Sequence, residues 1–597
     1  MMDDIYSALS DNKSILVNAP TGTGKTDAAV AAALTYAKKN GLDVMFLTPK
    51  TSQHKIVIES LLGINKRFGI NLKYVDVVGK RNLCVNAHVN NLEGETFYKK
   101  CEDLVKNKKC MFYTNSKDTD SVAKLLNQSL LGHNALFDEA HKKGICAYEA
   151  VTALAKDSRV IIADYAHILN PYVRESFLKK ISHNLENTIL IWDEAHNIVN
   201  AASSYLSTSI STRSIERGAA ELQTINSSMD IGYIAFVLEE IAKRKLIDDM
   251  TEAFIEPIDL PRTLTENINK VAEDLEKASL EYISKTDSKR SSLIHIANFL
   301  RSLQSKDEST VWIISRHING IKVAITSLYP SKSIDVVNGA YANIFMSGTL
   351  MPLGMYKELF GVEDSNSVSY ASPFPKENKL SLIDQDTSTK YEDRSNESYS
   401  KMAEKIELIK AHTIGNVVVF FPSFSVLKGV YRNMHRTVEY LQRSEMKSFE
   451  IEKLLSEFKG SDDSLLFAVM GGSLSEGIDY KNNIIKGIII VGIPLEKPNL
   501  ELNARIEYMN KKFGKGSEYA YIIPGVVKAV QAAGRAIRDG KDKAFVLLMD
   551  KRYGWRMYRS IINNFIEISD EKDYLTAIKH FNEGRSGTLH NENKSML

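Results

Sequence analysis

Short apolar runs, bounded by glycine-rich or polar turns, recur along this chain and alternate with segments of helical periodicity. Largely continuous runs lie at 188–192, 417–421, 465–470 and 484–493. Such runs are typical of strands that are buried on both faces, as in a parallel sheet covered by helices. The pattern therefore predicts an α/β protein with parallel sheets, in which the run at 417–421 belongs to a second sheet.

The stretch from 211 to 310 differs in kind, because apolar residues recur there at helical spacing among alternating charges. The clearest segments are Ile234–Lys245, Ile268–Lys285 and Ser291–Leu303. Residues spaced in this way place one apolar face toward a core. We therefore expect a helical insertion at 211–310.

Composition limits the possible classes of protein. A chain of 597 residues predicts about three to five compact units, at roughly 100–200 residues each. Lys and Arg number 76 against 74 Asp and Glu, so bulk charge attracts neither nucleic acid nor an anionic membrane, and any such contact must be local. The chain starts with no apolar leader and has no apolar run of about eighteen residues. These features predict a cytoplasmic protein without a membrane partner.

The first chemical motif is a phosphate-binding loop between a short apolar strand and an alanine-rich helix. The strict pattern begins with Gly where this chain has Ala19, but Gly22 and Gly24 still let backbone N–H groups surround a triphosphate. Lys25 would reach the β- and γ-phosphates, and Thr26 would offer its hydroxyl to Mg²⁺. The predicted nucleotide contacts are Ala19, Thr21, Gly22, Thr23, Gly24, Lys25 and Thr26.

Two Asp-Glu-Ala-His boxes occur, at Asp138–His141 and Asp193–His196. The second follows the apolar run 188–192, which would deliver its acidic residues to the carboxyl end of a buried strand. Only a short apolar stretch precedes the first box, so we predict that the second box is functional. There Asp193 would hold Mg²⁺ through water, Glu194 would orient and deprotonate the attacking water, and His196 would couple the site to neighbouring motifs.

Near the C-terminus, Gln531, Arg535 and Arg538 are spaced i, i+4 and i+7, which predicts one face of a helix. Two guanidinium groups fixed there could meet a γ-phosphate and stabilise the charge that develops on it.

The four cysteines, Cys84, Cys101, Cys110 and Cys146, all fall between the phosphate loop and the second box. Such grouping indicates a shared metal centre. Four thiolates suit either one zinc ion or an iron–sulfur cluster. The gaps of sixteen, eight and thirty-five residues contain no paired knuckle of the kind zinc sites use, which favours the cluster slightly. The remaining alternative is that the four cysteines are unrelated buried thiols without a shared metal.

Taken in order, the motifs resemble those of superfamily 2 helicases of the iron–sulfur group, and the chain is most similar to the XPD (xeroderma pigmentosum group D) helicases, of archaeal type. The resemblance spans nearly the whole chain. It rests on Ala19–Thr26, Asp193–His196, Ser347–Leu350, Gly415–Ser423, Glu476–Asp479, Gln531–Arg538 and the segments around the four cysteines.

This resemblance implies two RecA-like motor domains, with an iron–sulfur insertion and a helical Arch insertion, both within the first motor domain. The implied boundaries are 1–80 with 150–210 and 311–365 for motor domain 1, 81–149 for the cluster domain, 211–310 for the Arch, 366–585 for motor domain 2 and 586–597 for a flexible tail. The Arch and the cluster domain would enclose a pore for single-stranded DNA.

The resemblance also implies roles for individual residues. The four cysteines would hold a [4Fe–4S] cluster, Ser347 and Thr349 would link the ATP state to domain closure, and Gly477 and Asp479 would contact ATP and Mg²⁺. The implied DNA contacts are Lys80, Arg81, Tyr165 and Ser423.

The implied activity is ATP-dependent, 5′-to-3′ translocation on single-stranded DNA with unwinding of duplex and forked DNA, in repair of the nucleotide-excision type. The protein would be a nucleoid-associated monomer, with repair or transcription-complex proteins as possible partners. Two alternatives stay open: a DinG-like damage helicase, and a DNA-binding switch subunit that hydrolyses ATP without processive unwinding. The family's adenine-reading glutamine has no counterpart before Gln53, so we expect a missing N-terminal segment.

Overall fold

The computed structural model describes residues 1–117, 132–260, 267–304, 308–318, 320–472, 474, 483–537, 539–559, 561–562 and 565–583. The strands are β1 (Ile15–Asn18), β2 (Asp43–Thr48), β3 (Tyr74–Val77), β4 (Val160–Asp164), β5 (Thr188–Asp193), β6 (Thr208–Ser211), β7 (Glu252–Ile255), β8 (Thr310–His317), β9 (Gly320–Ser327), β10 (Ala342–Ser347), β11 (Asn366–Ser369), β12 (Lys379–Asp384), β13 (Asn416–Phe421), β14 (Tyr440–Leu441), β15 (Leu465–Val469), β16 (Ile485–Val491), β17 (Ala544–Met549) and β18 (Ile566–Ile568).

The α-helices begin with α1 (Met2–Ser10), α2 (Lys25–Asn40), α3 (His54–Phe68), α4 (Ala87–Asn90), α5 (Gly94–Lys106), α6 (Met111–Asn115), α7 (Gly132–Lys142), α8 (Ala147–Lys156), α9 (Ala166–Leu169), α10 (Pro171–Ile181), α11 (Ile198–Leu206), α12 (Thr212–Thr224), α13 (Gly232–Lys245), α14 (Ile268–Lys285) and α15 (Ser292–Ser302). They continue with α16 (Ser331–Asn338), α17 (Leu353–Phe360), α18 (Asn396–Ala411), α19 (Phe424–Tyr431), α20 (Ser448–Lys459), α21 (Leu500–Phe513), α22 (Ile523–Ala533), α23 (Arg556–Arg559) and α24 (Glu571–Asn582).

The first sheet has seven parallel strands in the order β11-β1-β10-β5-β2-β4-β3. Its central strands are almost wholly buried, as their apolar sequences predict. Inside the sheet, the Trp192 indole donates to the Asn343 side chain at 2.9 Å. Only β10 separates β1 from β5, so the phosphate loop and the second acidic box emerge side by side at the carboxyl edge.

Three separate stretches of chain build this sheet, as the sequence predicts, but one boundary is wrong. Strand β11 (Asn366–Ser369) pairs with β1 and so belongs to the first sheet, not to the second domain that we expect from residue 366. The second sheet contains seven parallel strands in the order β14-β15-β13-β16-β17-β12-β18. It begins at β12, after the segment that holds Phe374.

The insertion after β5 contains helices α12–α15, but the prediction of helices alone is wrong. Strands β6, β9, β8 and β7 form a four-stranded antiparallel sheet against these helices, so the insertion reaches from 208 to 327 instead of 211 to 310. Strand β9 alternates between buried and exposed residues, which is the signature of a sheet with one face on a core. Strands β8 and β9, which the predicted motor segment 311–365 included almost entirely, therefore belong to the insertion instead.

The cysteine window follows β3 as helices α4–α7, and α8 leads back to β4. It contacts the insertion directly. The Lys99 ammonium lies 2.6 Å from the Glu276 carboxylate, the Glu93 N–H donates to the Lys289 carbonyl at 2.9 Å, and the Ser291 N–H donates to Thr96 Oγ1 at 3.1 Å. These contacts tie the two insertions of the first domain together.

In the part of the chain that the structure describes, no helix has the length and apolar character needed to cross a membrane. The predicted tail at 586–597 lies outside the described residues.

Candidate functional site

The phosphate loop connects β1 to α2 and turns at two glycines in the left-handed region, Gly22 (φ 84°) and Gly24 (φ 71°). Gly24 directly precedes α2, so the free N–H groups of the first helical turn open toward the loop. The Thr23 hydroxyl donates to the Pro20 carbonyl at 2.7 Å and fixes the turn. The loop therefore presents backbone donors, with Lys25 and Thr26 beginning the helix beside them.

Gly22 is also required by a close neighbour that the sequence analysis missed. A β carbon at Gly22 would lie 2.3 Å from Cζ of Phe374, whose ring covers the tip of the loop. Phe374 comes from the segment between β11 and β12, which connects the two sheets. A side chain at position 22 would therefore be strained by its backbone angle and blocked by this ring.

Asp193 ends β5 and Glu194 follows it in the left-handed region at φ 53°, a conformation that residues other than glycine seldom adopt. Burial and the neighbouring Glu194 raise the pKa of Asp193. Burial also disfavours the charged form of Glu194, but His196, Lys25 and a hydrogen bond from Ser347 outweigh it and lower its pKa. Two confined carboxylates beside Lys25 form a site that favours a bound cation.

A chain of hydrogen bonds leads from Glu194 to the second domain. The Ser347 hydroxyl donates to Glu194 Oε2 at 3.1 Å and lies 2.7 Å from His196 Nδ1. Gln531 Nε2 lies 2.6 Å from His196 Nε2 and donates to Thr349 Oγ1 at 3.2 Å. The predicted coupling residues therefore meet in one relay.

The loop that carries Ser347 and Thr349 also lies against the phosphate loop. The Ala19 N–H donates to the Ser347 carbonyl at 2.9 Å, and the Leu350 N–H donates to Asn18 Oδ1 at 3.1 Å. A β carbon at Gly348 would lie 3.9 Å from Lys25 Nζ. Asn18 is a second residue that the sequence analysis missed, because its role depends on pairing between β1 and β10.

Arg535 faces the same site, although not by the geometry predicted for it. Helix α22 ends at Ala533, so Gln531 is in its last turn and Arg535 lies in the following turn, not on a continuous helical face. The positive charge of Arg535 helps to keep the pKa of Glu194 low, which places it near that carboxylate. The predicted contacts Arg538, Gly477 and Asp479 lie outside the described residues.

The first Asp-Glu-Ala-His box lies within helix α7 and not at the end of a strand. Asp138 is exposed, and Glu139 pairs at 3.2 Å with Lys143, which directly follows the helix. This placement favours the second box, and its role in hydrolysis stays a prediction.

The four cysteines are half-buried and none forms a disulfide. Cys84 lies in a turn after β3 and Cys101 within α5, while Cys110 and Cys146 directly precede α6 and α8. Burial raises the pKa of the Cys84 thiol to about 11, and negative charge at the other three cysteines adds to this effect. The window thus brings Cys84 within electrostatic range of the other three.

The predicted DNA contacts have mixed outcomes. Burial lowers the pKa of Lys80, but Cys101, with Glu149 and Cys146, more than offsets this and leaves the pKa raised. Arg81 beside it is half-buried. Ser423 caps α19 by accepting from the Val426 N–H at 3.3 Å. Tyr165 is wrong as a DNA contact: its ring is 0% exposed and its hydroxyl donates to the Asp193 carbonyl at 2.5 Å, so it supports the acidic box from inside.

Comparison with known proteins gives two family matches and a set of similar helicases. The DEAD_2 family matches residues 47–215, and the Helicase C-terminal domain family matches 406–568. The ATP-dependent DNA helicase XPD of Sulfolobus acidocaldarius is 26% identical over 565 residues, covering 93% of this chain and 95% of that protein. The ATP-dependent DNA helicase CHL1 of Kluyveromyces lactis is 25% identical over 545 residues, covering 81% of this chain and 66% of that protein. The chain thus spans about two thirds of CHL1. Since fungal CHL1 matches as well as archaeal XPD, the expected archaeal type is not confirmed.

Solved structures agree on the fold. An XPD helicase structure superposes with a TM-score of 0.70 at 22% identity, covering 95% of this chain and 98% of that one. The Xpd4 structure from S. tokodaii gives 0.62 at 18% identity, covering 95% and 98%. The two parallel sheets described above therefore correspond to a pair of RecA-like domains.

Proposed function

Because the chain belongs to the XPD- and CHL1-like family of superfamily 2 DNA helicases, we propose that it converts ATP hydrolysis between its two RecA-like domains into 5′-to-3′ movement along single-stranded DNA. The observation that carries this proposal is the relay from Glu194 through Ser347 and His196 to Gln531. It joins the residue next to the attacked phosphate to the opposite domain.

The site supports a division of labour in hydrolysis. The N–H groups of the phosphate loop and Lys25 bind the β- and γ-phosphates, and Asp193 holds the Mg²⁺ that accompanies ATP through its hydration water. Glu194 accepts a proton from the water that attacks the γ-phosphate. Arg535 stabilises the negative charge that develops there, from the second domain. Because both domains contribute, hydrolysis proceeds only when the cleft is closed.

Loss of the γ-phosphate then changes the charge beside Glu194, and the relay transmits this change. Ser347 and His196 shift with the carboxylate they bond, and the hydrogen bond from Gln531 weakens or re-forms. Opening and closing of the cleft in each cycle advances the bound strand by a step. The contacts between the cysteine window and the insertion support a closed path for that strand, with Lys80 and Arg81 beside it.

The cysteine window fits a [4Fe–4S] cluster held by Cys84, Cys101, Cys110 and Cys146. Burial raises the pKa of the Cys146 thiol, while backbone N–H groups at the start of α8 act in the opposite direction and favour a thiolate there. One zinc ion with Zn–S bonds of about 2.3 Å needs sulfurs about 3.8 Å apart. Among the described residues, no three cysteine sulfurs gather within 4.8 Å of one another. One zinc ion held by three or more of these sulfurs therefore does not match the described positions, and we propose the larger cluster. It would supply a rigid structural centre for separating duplex strands at the pore.

The pathway proposed is DNA repair of the nucleotide-excision type, with forked DNA as the substrate. The similarity to XPD along nearly the whole chain supports it, while the similarity to CHL1 extends over about two thirds of that protein.

Strand displacement tests the function. Duplexes with a 5′ tail, a 3′ tail or a fork are incubated with ATP and native protein, Lys25→Ala, or Lys39→Ala as a control on the exposed end of the same helix. We expect native protein and Lys39→Ala to unwind the 5′-tailed and forked substrates, and Lys25→Ala to unwind none. Preference for the 3′ tail would refute the polarity. DNA-stimulated hydrolysis without displacement would favour the switch subunit.

A further inference from the structure

Two imidazoles and a carboxylate converge at the carboxyl edge of the first sheet, on the far side of β5 from the phosphate loop. His54 begins α3, Asp76 lies in β3, and His133 lies in the first turn of α7. His54 Nδ1 is 2.6 Å from Asp76 Oδ1, and His133 Nδ1 is 2.6 Å from Asp76 Oδ2. The three donor atoms all lie within 4.8 Å of one another. Nothing in the proposed helicase mechanism uses them.

The cluster is buried and closely packed. The side chains of His54 and Asp76 are 1% and 0% exposed, while that of His133 is 22% exposed and opens toward solvent. Gly132 has a φ of 79°, and a β carbon there would lie 3.2 Å from Cδ1 of Ile58 and in ordinary contact, at 3.6 Å, with Asp76 Oδ2. The left-handed backbone at this glycine starts α7 beside Asp76, where the His133 N–H donates to the same oxygen at 3.0 Å.

A second carboxylate stands behind His54. The Nε2 atom of His54 is buried and makes no hydrogen bond, but it lies 3.4 Å from Oδ1 of Asp164, the residue that ends β4. The Thr51 hydroxyl holds Asp164 in place, at 3.0 and 3.1 Å from its two oxygens. Histidines that ligate a metal commonly direct their other ring nitrogen at a carboxylate, which fixes the ring and its tautomer. The arrangement of His54 and Asp164 matches that requirement.

We propose that His54 Nδ1, His133 Nδ1 and the Asp76 carboxylate bind one zinc ion. Two imidazoles and one carboxylate are a donor set that zinc takes readily, with the fourth position left for water on the exposed side of His133. Neutral histidines, ionised Asp76 and Asp164, and Zn²⁺ sum to zero charge, which suits a buried site. The ion fastens helix α7 of the cysteine window to the motor sheet.

This site is separate from the cysteines, and its ligands differ from theirs in kind. X-ray absorption at the zinc edge of the full-length protein, equilibrated with ZnCl₂ and then dialysed, distinguishes the two, because Zn–N and Zn–O distances of about 2.0–2.1 Å differ from Zn–S at about 2.3 Å. Iron in the sample does not contribute at that edge. Zinc content per chain is measured on the same samples.

Three variants complete the experiment. His133→Gln removes a ligand at the partly exposed position, Asp164→Asn changes only the carboxylate behind His54, and His141→Gln, on the same helix as His133, is the control. We expect one zinc with a nitrogen and oxygen shell in native protein and His141→Gln. We expect at least tenfold weaker binding in His133→Gln, and about 10- to 100-fold weaker binding in Asp164→Asn.

Two outcomes would overturn the proposal. Zinc with a sulfur shell in native protein would assign the metal to the cysteines, and no retained zinc would leave the three residues as a hydrogen-bonded cluster without a metal. Since DNA unwinding is measured separately, failure here leaves the helicase proposal standing.

Discussion

Gln531 is the only described residue of α22 that hydrogen bonds to the acidic box of the other domain, and replacing it tests whether the relay couples the two. Gln531→Ala removes one hydrogen bond of 2.6 Å to His196 and another of 3.2 Å to Thr349. At about 0.5–1.5 kcal/mol net for each bond, the closed cleft loses about 1–3 kcal/mol. Since about 1.4 kcal/mol is a factor of ten, hydrolysis should slow by about 5- to 140-fold.

The reduction should appear in kcat and not in ATP binding, because Gln531 makes no hydrogen bond to the phosphate loop in the described structure. Steady-state ATPase assays with saturating single-stranded DNA measure kcat, and equilibrium binding of a non-hydrolysable ATP analogue measures affinity. Lys528→Ala, an exposed change three residues earlier on the same helix, serves as the control. It should hydrolyse ATP within about twofold of native protein, as surface substitutions usually cost little.

A double variant makes the test stricter. If Gln531 acts through His196, then His196→Ala combined with Gln531→Ala should slow hydrolysis little more than the worse single variant does. If the double variant slows hydrolysis by the product of the two single-variant factors, the two residues act independently. That result, or a Gln531→Ala enzyme with native kcat, would refute the relay as the coupling element.

Two further outcomes are expected. Cys110→Ser should lower bound iron and abolish strand displacement while leaving much of the ATP hydrolysis, because the cysteine window packs apart from the phosphate loop; equal loss of both activities would contradict this. Burial lowers the pKa of His183, but the Asp43 carboxylate, 2.9 Å from its Nδ1, and the Ala155 carbonyl outweigh burial and leave the pKa raised. The pair of Asp43 and His183 therefore stabilises the fold below about pH 6.5 and stops doing so as pH rises through the raised pKa. Thermal unfolding of His183→Gln should show a Tm deficit near pH 6 that shrinks at high pH, and a constant deficit would count against it.

The parts of the site that follow local patterns could be predicted from sequence. The phosphate loop and the second box each combine a buried strand with adjacent polar residues, so Lys25 and Asp193 needed no tertiary information. The meeting of His196 with Gln531, across 335 residues, was not predicted, and the sequence indicated only that His196 would couple the site to neighbouring motifs. The periodicity of a strand or a helix predicts local structure and not a contact between residues so far apart in sequence.

Other features depended on packing that no local pattern records. The ring of Tyr165 would suit a DNA base, yet it is buried under the acidic box because α9 turns back onto the first sheet. Phe374 covers the phosphate loop only because the connection between the sheets crosses it. The antiparallel sheet of the insertion pairs β6 with β9 across more than a hundred residues, so helical periodicity between them concealed it.

The central claim is that ATP is hydrolysed at the second acidic box in response to DNA, and a matched pair of variants tests it most directly. Single-turnover ATP hydrolysis with single-stranded DNA is measured for native protein, for Glu194→Gln, and for Glu139→Gln at the equivalent position of the first box. Loss of the general base should slow Glu194→Gln by about 10²–10⁴-fold, while Glu139→Gln keeps native rates and both variants bind ATP. Native hydrolysis by Glu194→Gln, or loss of hydrolysis in Glu139→Gln instead, would contradict the account.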